Sequence, residues 1–179
     1  MRNRTRAVVG ALAILGAAVG APVAGAAEEA SLKVMAPWEG EGHVYRVGPD
    51  ELQFVGDFQG IMYYEGGEGA LNAALFVCPT TQNMNMKTRK IEAVGRCHIV
   101  APRGDVFAKF TCKGELGACE GKFDITGGTD GLEGITGSGP MQVRAVFSGL
   151  SIDTATGETL RSGKGLALWP SLKIKLPKR

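Results

Sequence analysis

VFAKFTCKGELGACEGKFDIT, residues 106–126, is the stretch whose reading decides the fold. On a two-residue period, Val106, Ala108, Phe110 and Cys112 share one side of a strand. Cys119, Gly121, Phe123 and Ile125 continue that apolar side on a partner strand. The opposite side carries Phe107, Lys109, Thr111, Glu120, Lys122, Asp124 and Thr126. Alternation of this kind marks antiparallel strands with one face on a core and the other in water. Between them KGELGA, residues 113–118, turns the chain.

Outward from this hairpin the chain reads as strands and turns. Strands are predicted over 41–47, 51–64, 69–78, 88–101, 105–112, 119–126, 139–150 and 163–175. Gly48-Pro49-Asp50, Gly66-Gly67 and Pro102-Arg103-Gly104 supply turns, and residues 80–86, TTQNMNM, read as a polar loop. Gly56 and Gly60 read as bulges or bends inside the second strand. No segment sustains a helical repeat with caps. Eight antiparallel strands in sequence order either form a sandwich or close into a barrel that removes its edges. Residues 127–139 hold six glycines in thirteen positions. Leu132 and Ile135 within them still need burial, so this stretch is a specific irregular backbone. A phosphate cradle would need a lysine and a following helix, and neither is there.

The N-terminus sets the compartment. Arg2, Arg4 and Arg6 precede an apolar run from Ala7 to about Ala24, which ends in Ala24-Gly25-Ala26. This is the layout of a cleaved signal peptide over residues 1–26, leaving a single domain at 27–179. Its many small residues and Pro22 set it apart from a membrane anchor, and the mature chain has no apolar run long enough to span a membrane. The leader takes three of the 20 basic residues and none of the 18 acidic ones, so the formal charge of +2 becomes −1. No cationic surplus remains for a nucleic acid. With 44% hydrophobic residues and nearly balanced charge, the chain is not a disordered one. A domain of this size buries about 70% of its unfolded surface, enough for a core. Export, to the periplasm or the medium, makes the four cysteines disulfide candidates. Four cysteines allow three connectivities. The tight turn favours Cys112–Cys119, and Cys78–Cys97 is the pair then left over. Zinc is disfavoured by the lack of a Cys-x-x-Cys pair and by the presence of only two histidines.

FDITGGTDGLEGITGSG at residues 123–139 resembles the glycine-punctuated segment of allene oxide cyclase-like and dirigent-like barrel proteins. GEGALNAALFVCP at 67–79 is similar to the glycine-led hairpin and apolar strand of those families, and KIEAVGRCHIVAPRGDVFAKFTCKG at 90–114 to their next long hairpin. The resemblance covers about half of the mature chain. It implies an all-β fold, an eight-stranded antiparallel barrel with an internal cavity, and a homo-oligomer, a trimer in the plant relatives. The plant cyclases use a glutamate on the first barrel strand. The matching run here is Val44-Tyr45-Arg46, with an arginine in that place.

Candidate ligand-contacting residues are His43, Tyr45, Arg46, Tyr63, Tyr64 and His98. Imidazole is a versatile proton carrier and metal ligand, and tyrosines offer an apolar ring with a polar tip. Tyr63 and Tyr64 are adjacent, so at least one should face outward. Met84 and Met86 are soft thioethers, but two are too few to hold Cu(I). Trp38 and Trp169, near the two ends of the domain, would cap the barrel, fill its core or mark an interface. No Ser-His-Asp constellation is recognisable from spacing, and no cofactor or metal is expected. Three functions fit: a barrel binding a small apolar or aromatic molecule, a cyclase or isomerase that folds such a molecule by shape, and a solid structural envelope protein.

Overall fold

The computed structural model describes residues 29–67, 69–150 and 158–176; the leader reading at 1–26 lies outside them. Eight strands form a closed barrel in sequence order, each antiparallel to its neighbours. They are β1 (Glu29–Arg46), β2 (Glu51–Tyr64), β3 (Ala74–Asn85), β4 (Lys90–Ala101), β5 (Gly104–Glu115), β6 (Ala118–Gly128), β7 (Thr136–Leu150) and β8 (Glu158–Lys175). Pairing of β1 with β8 closes the ring, so no strand edge is left open. The resemblance's eight-stranded barrel, and not a sandwich, is the architecture.

Period-2 alternation sends one row of each strand inward. On β5 that row is Val106, Ala108, Phe110 and Cys112; on β6 it is Cys119, Phe123 and Ile125, all buried. The outer face is wet. Lys90 pairs with Glu115 at 3.0 Å and Lys113 with Glu92 at 2.9 Å, directly across β4 and β5. Each such pair adds little stability. The same outer face also carries exposed apolar side chains, among them Met35, Leu75, Val77, Val100 and Phe107.

Several strand boundaries differ from the sequence reading. β1 begins at Glu29, far before residue 41, because Leu32, Val34, Ala36 and Trp38 extend the inward row past Pro37 on the outside. β3 begins at Ala74 and runs through Asn85, so 80–86 is mostly strand and not loop. It looked polar because its inward row includes Thr80 and Gln82, both buried. Residues 69–73 instead turn. Asn72 Oδ1 accepts from Tyr64 N at 3.1 Å, Asn72 Nδ2 donates to Gly67 O at 2.7 Å, and Leu71 is driven fully inside. Gly56 and Gly60 are not bulges: the β1–β2 register runs unbroken past both. The irregular points are elsewhere. One is on β6 at Phe107/Ala108 of the pairing. Another is on β8, where a residue is added near Pro170, a place that tolerates a missing donor.

The glycine-rich passage from β6 to β7 contains a 3₁₀ turn, Asp130–Leu132. It is fastened to the β4–β5 turn by Thr129 N to Asp105 O at 2.9 Å and Gly131 N to Arg103 O at 3.0 Å. Leu132 and Ile135 are fully buried, as their chemistry demands. This passage and the turn residues 65–67 and 69–73 lie at one end of the barrel, which we call the closed end. The β5–β6 turn, Leu116-Gly117, lies at the other.

Candidate functional site

The barrel interior contains a cavity of about 80 Å³. It reaches from Met62 and Ile99, near the closed-end termini of β2 and β4, to Gly117 and Ala118 at the opposite end. Its wall is made by Trp38, Phe58, Phe76, Phe110, Phe123 and Trp169, with smaller residues such as Ala93 and Ala167 between them. Trp38 meets Phe58 with ring centroids 4.7 Å apart, and Phe123 meets Trp169 edge-on at 5.2 Å. Both tryptophans therefore belong to the interior, neither capping the barrel nor marking an outer interface.

Room for these rings comes from glycine on the neighbouring strand. A Cβ at Gly165 would run into the Trp38 ring, and one at Gly95 into the Phe110 ring. With no side chain beneath them, the rings lie along the wall and leave the centre open. Sequence reading assigned glycine to turns and missed this use. The legible signal was that Gly95 and Gly165 fall on the inward period of their strands.

All four cysteines face this cavity, joined as Cys78–Cys97 and Cys112–Cys119. Cys78 and Cys97 stand directly opposite in the β3–β4 register, with Cα atoms 4.0 Å apart. Cys112 and Cys119 tie β5 to β6 below the Leu116-Gly117 turn, with Cα atoms 5.6 Å apart. The turn is tight because strands run to Glu115 and Ala118, and Gly117 takes φ of 90°.

Among the described residues, no Asp, Glu, Lys, Arg or His lines the cavity, and Gln82 is its one polar side chain with an amide. Gln82 is 7% exposed and makes no side-chain hydrogen bond to any described residue. Thr80, the inward residue before it, spends its hydroxyl on Cys78 O at 2.9 Å. The Trp169 indole N–H is also buried without a partner.

None of the six residues singled out from sequence lines this cavity. His43, Tyr45, Tyr63 and His98 are on the outer face, and Arg46, on the same row as buried Val44, is exposed at the last position of β1, at the barrel rim opposite the closed end. His43 and Tyr45 approach with ring centroids 6.2 Å apart, and Arg46 donates to Pro49 O at 3.2 Å. His98 Nε2 lies 2.8 Å from Asp105 Oδ2 and stacks on Phe107. Tyr64 alone points inward, while its neighbour Tyr63 points out. The Tyr64 ring packs over Gly69 at the closed end, away from the cavity. Burial pushes its phenol well above the ordinary value of 10.0, an effect that the Leu71 main chain partly offsets. Met84 is buried on β3 and Met86 is exposed beyond it, so the two do not face one point.

Fold and cavity together define a class: a closed eight-stranded antiparallel barrel with an apolar interior cavity. No protein-family model matches the chain, and no curated protein is similar to it. Two disulfides fit a protein of an oxidising compartment.

Proposed function

We propose that this is an exported binding protein that holds one small apolar or aromatic molecule inside its barrel. The observation that carries the reading is the aromatic-walled cavity, open in the middle of an otherwise packed core. Sites of this kind combine an apolar lining with few polar groups. The lack of titratable groups among the described lining residues favours binding over acid-base catalysis. An open cavity also favours binding over a purely structural role. Export rests on the leader at 1–26, and kinship with the allene oxide cyclase-like and dirigent-like barrels rests on the residues 123–139 and the strand count. That kinship supports a homotrimer as the assembly.

The test is native mass spectrometry of the full chain secreted by its own leader and purified without denaturant. The expected spectrum shows the chain beginning at Ala27, with two disulfides and an added small-molecule mass that disappears on denaturation. A bare mass, together with no uptake of added benzene, would overturn the binding reading.

A further inference from the structure

We propose that Gln82 is the polar anchor of the cavity, and that the ligand is an uncharged, mainly apolar molecule bearing one carbonyl or hydroxyl group. The inference rests on the cavity being a ligand site, and it adds the chemistry of what enters.

The first support is the state of Gln82. Its side chain is more than nine-tenths buried, lines the cavity and has no hydrogen-bond partner among the described residues. A primary amide offers two donors and an acceptor, and buried polar groups of native proteins are nearly always satisfied. Its neighbours cannot satisfy it. Across the strands it faces Phe54 on β2 and Ala93 on β4. The nearby Thr80 hydroxyl is already committed to Cys78 O. Ala93 is small and shares the cavity wall, so the amide is left uncovered on that side.

The second support is what the wall lacks. A carboxylate or ammonium brought into an apolar enclosure needs an opposite charge, and no charged side chain lines this one among the described residues. A neutral carbonyl accepts from the Gln82 N–H, and a hydroxyl can both donate and accept. Size sets a further limit. At 80 Å³ the cavity is about half of the roughly 150 Å³ apolar cavity that admits benzene, so the ligand is no larger than a single six-membered ring with a short substituent.

Three small probes separate the possibilities: benzene, phenol and benzoate, titrated calorimetrically into the full disulfide-bonded protein at neutral pH. Phenol should bind about tenfold more tightly than benzene, the worth of one enclosed hydrogen bond. The benzoate should not bind until acid neutralises it. In Gln82→Leu, phenol should fall to the level of benzene while benzene keeps its affinity, which also reports that the barrel is folded. Gln82→Met serves if the leucine variant does not fold. Equal binding of phenol and benzene by the wild type would overturn the anchor while leaving the cavity a ligand site. Strong binding of the ionised benzoate would overturn the exclusion of charge. Failure of all three probes to bind would overturn both the anchor and the binding reading beneath it.

Discussion

The two ends of the barrel are packed in opposite ways. At the closed end Leu71, Leu132, Ile135, Leu172 and Ile174 fill the bore, delivered by the turn that holds Leu71, the 3₁₀ passage and the end of β8. From there toward the other end large rings lie against glycines, with Cys78–Cys97 in the wall nearer the plug and Cys112–Cys119 beside the far turn, leaving a cavity. Both ends are apolar, so hydrophobicity does not distinguish them. The difference lies in whether a loop contributes a plug and whether each ring has a side chain or a glycine beside it.

The largest expected effect tests the plug. Leu132→Ala should cost about 3 kcal/mol or more in urea unfolding, because its neighbours have nowhere to collapse. Val143→Ala, whose side chain already borders the cavity, should cost only about 1 kcal/mol. Equal losses would remove the distinction between the ends.

Next come the crosslinks. Replacing Cys78 and Cys97 together by alanine opens a loop of sequence separation 19, worth about 3 kcal/mol by loop entropy. The Cys112 and Cys119 pair, with separation 7, should be worth somewhat less. Amide exchange should rise around the cavity and stay slow at Leu71 and Leu132. Uniform loosening would mean that the disulfides serve the whole barrel.

A smaller effect is expected at the glycines. Gly165→Ala brings a Cβ against both the Arg144 main-chain oxygen and the Trp38 ring, costing about 1–3 kcal/mol by overpacking and abolishing benzene binding. Gly127→Ala, where a Cβ meets open space, is the control and should bind as wild type. Retained binding in Gly165→Ala would show that the rings do not need bare backbone beside them.

The smallest effect belongs to Tyr64. Its folded-state phenol is raised above the ordinary 10.0, so the folded chain keeps a proton that the unfolded chain surrenders above that pH. The stability it contributes is complete below pH 10 and is lost as pH climbs through the folded value. Tyr64→Phe should change stability at neutral pH by less than about 1 kcal/mol and should blunt the loss in alkali. An unchanged alkaline profile would place the sensitivity elsewhere.

Much of the barrel is legible along the chain. Alternation over 106–126 fixes the inward row of β5 and β6, and the short turn between Cys112 and Cys119 brings those cysteines together. The burial of Leu132 and Ile135 follows from their character in a glycine-rich passage. β3 was harder, because Thr80 and Gln82 on its inward row mimic a polar loop, while the apolar Ala70, Leu71 and Ala73 mimic a strand. The ligand-contacting candidates were chosen by chemical versatility, and versatile side chains such as His43 and His98 are the ones that a wet outer face accepts.

The sequence by itself determined an all-β chain of eight antiparallel strands and its apolar and polar faces, and it favoured the Cys112–Cys119 bridge, because these depend on neighbours in the chain and on a two-residue period. Only the tertiary structure decided that the strands close on themselves, that Cys78 pairs with Cys97, that one end is plugged, and that Gln82 is left facing a cavity. A void is a property of side chains converging from all eight strands: whether Trp38 has Gly165 beside it is fixed by register between segments far apart in the chain.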